Sequence, residues 1–438
     1  MKTCKTYSRR NALKMGAIAG FGSLSLPALL ELEASTKKSN LKRNKSVIII
    51  WMQGGPSHHE TFDPKPYAID AYKGHFDAIP TNVDGIRISD HLNKSAKIMD
   101  KWNIVRGLHH NNNSHASAYN IMYTGYKAGT PGQTQNSYPS IGSVVSEHAK
   151  RENPQVPPYV TIPTHNPGTR PVYLGQDNDP YQTRSRPSSS TAYKDTNFTL
   201  TDSLTINRLD NRNSLLDGFD RMNASLDKSG TMNAIDEFTG RAYDMLSAGK
   251  AAKAFDVESE PEHIKQLYGF DGNFKFGRDA LLARRLVESG VRLVSITTPF
   301  GWDTHSNSGK SMSERNLPEL DLAWSSLITD LDQRGMLKDT MVIAWGEFGR
   351  TPKVNVSSGR DHWANCMTCA IAGGDTKGGC FVGESDKTGS YPIKGYTPAD
   401  VLQTAYSHLG INSEYSYVDH SGRPIPILNQ GKVIEDLL

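Results

Sequence analysis

The stretch Ser46-Val47-Ile48-Ile49-Ile50-Trp51-Met52, followed at once by Gln53-Gly54-Gly55-Pro56, decides the fold. An apolar run with no polar alternation reads as a strand buried on both faces, and the glycines and proline stop it. Similar short runs recur at residues 103–108, 159–163, 292–298, 341–345 and 370–373. Between them lie helical patterns at 116–122, 235–248, 277–289, 320–334 and 398–409. Uniformly apolar strands alternating with helices predict an α/β fold, a doubly wound and mostly parallel sheet with helices on both faces. Ligands of such sheets bind beyond the carboxyl ends of the strands, so the residues just after each strand are the ones to read.

Those residues are rich in histidine and carboxylate. After 46–52 come Gln53, His58, His59, Glu60 and Asp63; after 103–108 comes His109-His110-Asn111-Asn112-Asn113-Ser114-His115. The strand at 292–298 is followed by Trp302-Asp303-Thr304-His305, and that at 341–345 by Gly346-Glu347-Phe348-Gly349-Arg350, then Gly359-Arg360-Asp361-His362-Trp363. Asp303 and His305 are two apart, so in extended backbone they face one way and can converge on one ion, or simply hydrogen-bond in a loop. Glu347, directly after an apolar strand, needs a partner: either Arg350 or a cation. Asp361 and His362 sit in a turn, where one ligates and a neighbouring carboxylate orients a ring. Ser114 precedes the helical pattern at 116–122, where it is either an N-cap or a nucleophile with histidine neighbours. The free N–H groups of that helix start suit an anionic ester group.

Charge sharpens this reading. The 438-residue chain carries 49 Lys+Arg and 46 Asp+Glu, a net +3. Residues 1–34 hold five of the bases and two of the acids, which leaves 44 of each in the rest. A neutral body lacks the basic face with which nucleic-acid binders displace counterions, so no nucleic-acid partner is expected. Residues 1–34, with Ser8-Arg9-Arg10 and a glycine-broken apolar core, read as a twin-arginine signal peptide. That core is too short for a stable membrane span. The expected location is therefore periplasmic or extracellular, with the twin-arginine export machinery as a partner. Residues 35–45 form a basic tether, and 46–438 a single α/β domain with a polar insert at about 164–229, a surface excursion or a lid. Cys366, Cys369 and Cys380 can form at most one disulfide; Cys366 and Cys369 beside His362 lack the second ligand pair of a zinc site.

The motifs at 53–66, 302–305, 346–352 and 359–363 resemble the secreted bacterial domain-of-unknown-function 1501 family, placed in the alkaline phosphatase/sulfatase-like superfamily. The segments 400–410 and 419–426 are similar to its closing region. The resemblance implies an alkaline phosphatase-like sheet, one or two divalent metals at the strand ends and a nucleophile at a helix start. It assigns Asp303, His305, Glu347 and His362 to a metal, to which Asp361 is added for its place beside His362; counting back from Thr124-Gly125 puts His115, not Ser114, at the nucleophile position. Gln53 stands where the superfamily places a metal-binding aspartate, and the Cys-x-Pro-Ser-Arg sulfatase signature is absent.

The expected function is an exported hydrolase of a phosphate, sulfate or related ester, using a divalent metal (zinc, calcium, magnesium or manganese). Its substrate would be an anionic small molecule or glycan ester, gripped by Gln53, His58, His59, Arg350 and Arg360. The other reading is a non-catalytic binding protein with a degenerate site of the same shape.

Overall fold

The computed structural model describes residues 45–127, 135–149, 153, 155–189 and 250–438. The expected signal at 1–34, almost all of the expected tether, the expected helix at 235–248 and the expected insert beyond residue 189 lie outside the described residues.

Eight strands form one sheet: β1 (Ser46–Trp51), β2 (Trp102–Leu108), β3 (Tyr159–Ile162), β4 (Tyr181–Gln182), β5 (Leu293–Thr297), β6 (Thr340–Trp345), β7 (Met367–Gly373) and β8 (Cys380–Val382), in the order β8-β2-β7-β6-β1-β5-β3-β4. β1 lies at the centre, parallel to β5 on one side and to β6 on the other. Its Ile48, Ile49 and Ile50 are wholly buried, each contributing about 1.5–3 kcal/mol of burial free energy. Ile48 and Ile50 enter one core with α3 (Phe276–Ser289) and α4 (Leu317–Gln333). Val47, Ile49 and Trp51 enter the other, with α1 (His115–Thr124), α2 (Ile141–Ala149) and α5 (Pro398–Leu409). The two-residue alternation of one strand thus feeds two layers of helix, which is why the whole run is apolar.

β7 departs from the parallel expectation. It runs antiparallel to both β6 and β2. The chain between β6 and β7 contains no crossover helix, so it re-enters the sheet at the edge where it left, and the next strand runs back. The short edge strands β4 and β8 carry too little apolar pattern to be read from sequence. Cys366, Cys369 and Cys380 are free thiols, the first two buried around β7; burial pushes the Cys366 thiol up to about 12. The Cys-x-x-Cys spacing belongs to a strand and its lead-in.

Because β1, β2, β5 and β6 point the same way, the segments after them converge on one edge. Gly54 makes that convergence tight: its φ is +108°, and a Cβ there would stand 2.4 Å from the Asp303 backbone nitrogen. Only glycine lets the loops after β1 and β5 approach this closely. Among the described residues no helix is long and apolar enough to cross a membrane.

Candidate functional site

Asp303, on the loop after β5, is the hub. The Nε2 atoms of His305 and His362 lie 3.0 and 3.1 Å from its Oδ1, and 3.0 Å from each other. Their Nδ1 atoms face groups that only accept: Asp361 Oδ1 at 2.7 Å from His305, and the Asn113 carbonyl at 2.8 Å from His362. With the proton of each neutral ring on Nδ1, two Nε2 lone pairs are aimed at one point beside a carboxylate. Such a contact is repulsive unless a proton or a cation sits between the nitrogens. Asp361, expected among the metal donors, instead orients the His305 ring from outside, with Asn355 Nδ2 at 3.3 Å from the same oxygen.

His115 closes the other side. Its Nε2 is 3.3 Å from Asp303 Oδ2 and its Nδ1 is 2.5 Å from Glu347 Oε1. One ligating atom each from His115, Asp303 and His362 lie within 4.8 Å of one another. The hydrogen bond to Glu347, more than its burial, acts on the imidazole and raises its pKa. For Asp303, burial pushes the carboxyl up, but the Arg350 guanidinium, with help from His362 and His115, brings it down to about 2.

Glu347 follows β6 directly and is wholly buried. Oε1 accepts the Gly54 N–H at 2.8 Å as well as His115; Oε2 has no hydrogen-bond partner. An unpartnered buried carboxylate oxygen is costly. Together with the facing imidazole lone pairs, it makes the donor set of Asp303, His305 and His362, with His115 and Glu347 alongside, suited to a divalent cation. Arg350, the partner weighed for Glu347, in fact binds Asp303 Oδ1, Gly54 O, Gly55 O at 2.9 Å and Arg360 O at 3.0 Å.

The expected substrate-gripping set divides. Gln53 is exposed and lines a cavity of 920 Å³ with Gly54, His115, Tyr119, Asp303 and Glu347. His58, His59, Arg350 and Arg360 do not touch that cavity. His58 and His59 are buried and hold the carbonyls of Gly389 and Thr388 at 2.9 Å each. Arg360 is buried against Glu60, 2.8 Å away, and donates to the Thr351 carbonyl. Two arginines that looked like substrate clamps tie loops together instead, because their guanidiniums are saturated by carbonyls and a carboxylate. Ser114 occupies the N-cap position of α1, exposed, with no capping hydrogen bond from its side chain and outside the cavity lining.

His110 has no sequence signal beyond its place in the run from His109 to His115; its Nε2 lies 2.6 Å from the Glu347 carbonyl while its Nδ1 accepts the Asn112 N–H at 3.2 Å. Burial lowers its pKa to about 4, so it works as a neutral brace. Tyr119, Asn166, Arg186 and Arg315, none of them in a motif, also stand on the cavity wall. Their only signal was position, within the helix and the loops that leave the strand ends.

With the site assembled, the match of residues 44–438 to the family described as Protein of unknown function (DUF1501) covers all of it. The chain belongs to that family. No curated protein matches this DUF1501 chain. Among solved structures it is similar to the lipoteichoic acid synthase of Listeria monocytogenes, at 10% identity over 88% of this chain and 78% of the other, TM-score 0.35. A sulfatase from Pseudoalteromonas sp. gives 14%, 87%, 70% and 0.38 for the same four quantities. A phosphonate monoester hydrolase from Silicibacter pomeroyi gives 12%, 90%, 76% and 0.33. Likenesses at these scores assign no activity or substrate to this chain.

Proposed function

We propose that this protein is a divalent-metal-dependent hydrolase of phosphate, sulfate or related esters, exported by the twin-arginine route to the periplasm or beyond. One observation carries the reading: the Nε2 atoms of His305 and His362 lie 3.0 Å apart beside Asp303, and Asp303 lines a cavity whose wall also includes Glu347, with its unpartnered Oε2. Asp303, His305 and His362 would hold the ion, with His115 at its border. When bound, a divalent cation polarises an ester oxygen and offsets the charge that develops as the bond breaks.

The chain's own groups do the rest. Arg350 pins one oxygen of Asp303, and Asp361 and Asn113 fix the two ring tautomers. Glu347 holds His115, a cavity-lining residue, by Nδ1, leaving Nε2, 3.3 Å from Asp303 Oδ2, to take a proton from an attacking water or give one to the leaving oxygen. Since Ser114 lies outside the cavity lining, water is the attacking group. The metal is zinc, manganese, magnesium or calcium, and the substrate an anionic small molecule or glycan ester.

The test is hydrolysis of 4-nitrophenyl phosphate and sulfate esters by the full chain after metal stripping, then after return of each metal. Activity that disappears in chelator and returns with one metal is the expected result. A chain that takes up the metal yet turns over none of the esters would instead be the non-catalytic binding protein.

A further inference from the structure

The cavity is far larger than the ester group it would process. A volume of 920 Å³ lies in the range that holds a whole drug-sized ligand. Its wall away from Asp303 comes from two segments. One consists of residues from the stretches 163–167 and 186–189, at the beginning of the polar insert; the other is the chain from Thr297 to Gly301 together with Arg315.

The insert wall is anchored. Asp279 of α3, wholly buried, accepts the Ser188 N–H and Oγ–H at 2.9 Å each and Arg186 Nη1 at 3.3 Å; the same Nη1 donates to the Thr297 carbonyl at 3.0 Å. The Arg186 charge is therefore balanced inside the protein. That of Arg315 is not. It is exposed, its guanidinium 5.5 Å from the Phe300 ring centroid, and among the described residues its one hydrogen bond is a long 3.4 Å to the Pro299 carbonyl. Among the described residues it forms no ion pair. Glu319, the acid that feels its charge, is engaged with the Phe276 N–H at 2.6 Å. A guanidinium held over an aromatic ring on a cavity wall, with no carboxylate of its own, is a ready anion receptor.

We propose that Arg315 forms a second anion subsite, so that the ligand is an ester whose organic part carries another sulfate, phosphate or carboxylate. The ester group lies at Asp303 and His115, and the second anion at Arg315 against Phe300. The body between them, of oligosaccharide size, rests on Tyr119, Asn166 and the insert wall. The location of the ester group rests on the hydrolase reading above; recognition by Arg315 does not require turnover.

Calorimetry on the full chain, in chelator and again with added zinc, separates the two claims. The probes are a heparin tetrasaccharide, the neutral, fully N-acetylated chitotetraose and inorganic sulfate. The expected result is that the heparin tetrasaccharide binds more tightly than either other probe, with or without zinc. Arg315→Gln should weaken it about tenfold and Arg315→Lys by less, at unchanged melting temperature, since one charge-assisted hydrogen bond is lost from an exposed side chain. Equal binding of the tetrasaccharide by wild type and Arg315→Gln overturns the subsite, as does failure of wild type to bind it or equal binding of chitotetraose. Tetrasaccharide binding with these Arg315 effects, but without ester hydrolysis, leaves the subsite standing and removes only the hydrolase reading.

Discussion

Glu347 Oε1 lies 2.5 Å from His115 Nδ1 and 2.8 Å from the Gly54 nitrogen, so one buried carboxylate oxygen joins the loop after β1 to the start of α1. Its second oxygen is bound to nothing. Glu347→Gln keeps an acceptor for Gly54 but removes the charge that steadies His115 and attracts a cation. Metal affinity and kcat should each fall about 10- to 100-fold, the usual effect of removing a group that orients a ligand. The melting temperature in chelator should hold or rise, because an underused buried charge has gone. Metal titration and turnover on the same preparation check this; unchanged metal affinity would remove Glu347 from the site.

The facing nitrogens of His305 and His362 make a second prediction. A cation between them relieves the lone-pair repulsion of the apo state, so binding should stabilise the fold. At a free metal concentration one hundred times Kd the gain is about 2.7 kcal/mol. Thermal melts of stripped protein against zinc, manganese, magnesium and calcium should show a concentration-dependent rise for the preferred ion. In His305→Ala and His362→Ala the rise should shrink sharply. Equal shifts in these variants and the wild type would place the ion elsewhere.

The central strand and the location of the site were legible in the sequence for one reason: a parallel strand buried on both faces must be apolar throughout, and it ends where ligands bind. Asp303 and His305 could be paired from their spacing alone. The roles of Arg350 and Arg360 could not, because a guanidinium aimed at substrate and one saturated by backbone carbonyls look alike in one dimension. The reversal of β7 was hidden for a similar reason. A strand buried on both faces reads the same in either direction, and only the missing crossover helix marks it. Tyr119, Asn166 and Arg315 come from three separate elements and share no motif, so only the fold brings them to one wall.

His58 and His59 should make the protein labile to acid. Burial, reinforced by mutual repulsion, holds His58 well below the ordinary histidine value; burial and then Arg360 lower His59 to about 3. Asp63 opposes the shift in both and Lys65 adds to it. Between about pH 3 and 6.5 the unfolded chain binds a proton on His59 that the folded chain refuses. Stability is thus free of this penalty above about pH 6.5 and is lost as pH falls below it. Each such histidine costs about 1.4 kcal/mol per pH unit inside its window. Urea denaturation from pH 7 to 5 should show this decline, and His59→Gln, which keeps a donor for Thr388, should flatten it. An equally steep decline in that variant would trace the acid lability to other groups.

Ser114 allows the attacking group to be tested. Its side chain makes no capping hydrogen bond, so Ser114→Ala should change stability by less than about 0.5 kcal/mol, well under the usual loss of a working cap. With water as nucleophile, turnover should stay within about tenfold of wild type, because Ser114 is outside the cavity where His115 and Asp303 meet. His115→Ala, by contrast, should lower turnover by about 100-fold or more, the scale of losing a positioned proton-transfer group. Single-turnover kinetics on both variants decides the point. A collapse of about a thousandfold in Ser114→Ala, at unchanged melting temperature and metal affinity, would make Ser114 the attacking oxygen and would mean that the loop at Asn113 moves it into the cavity when substrate binds.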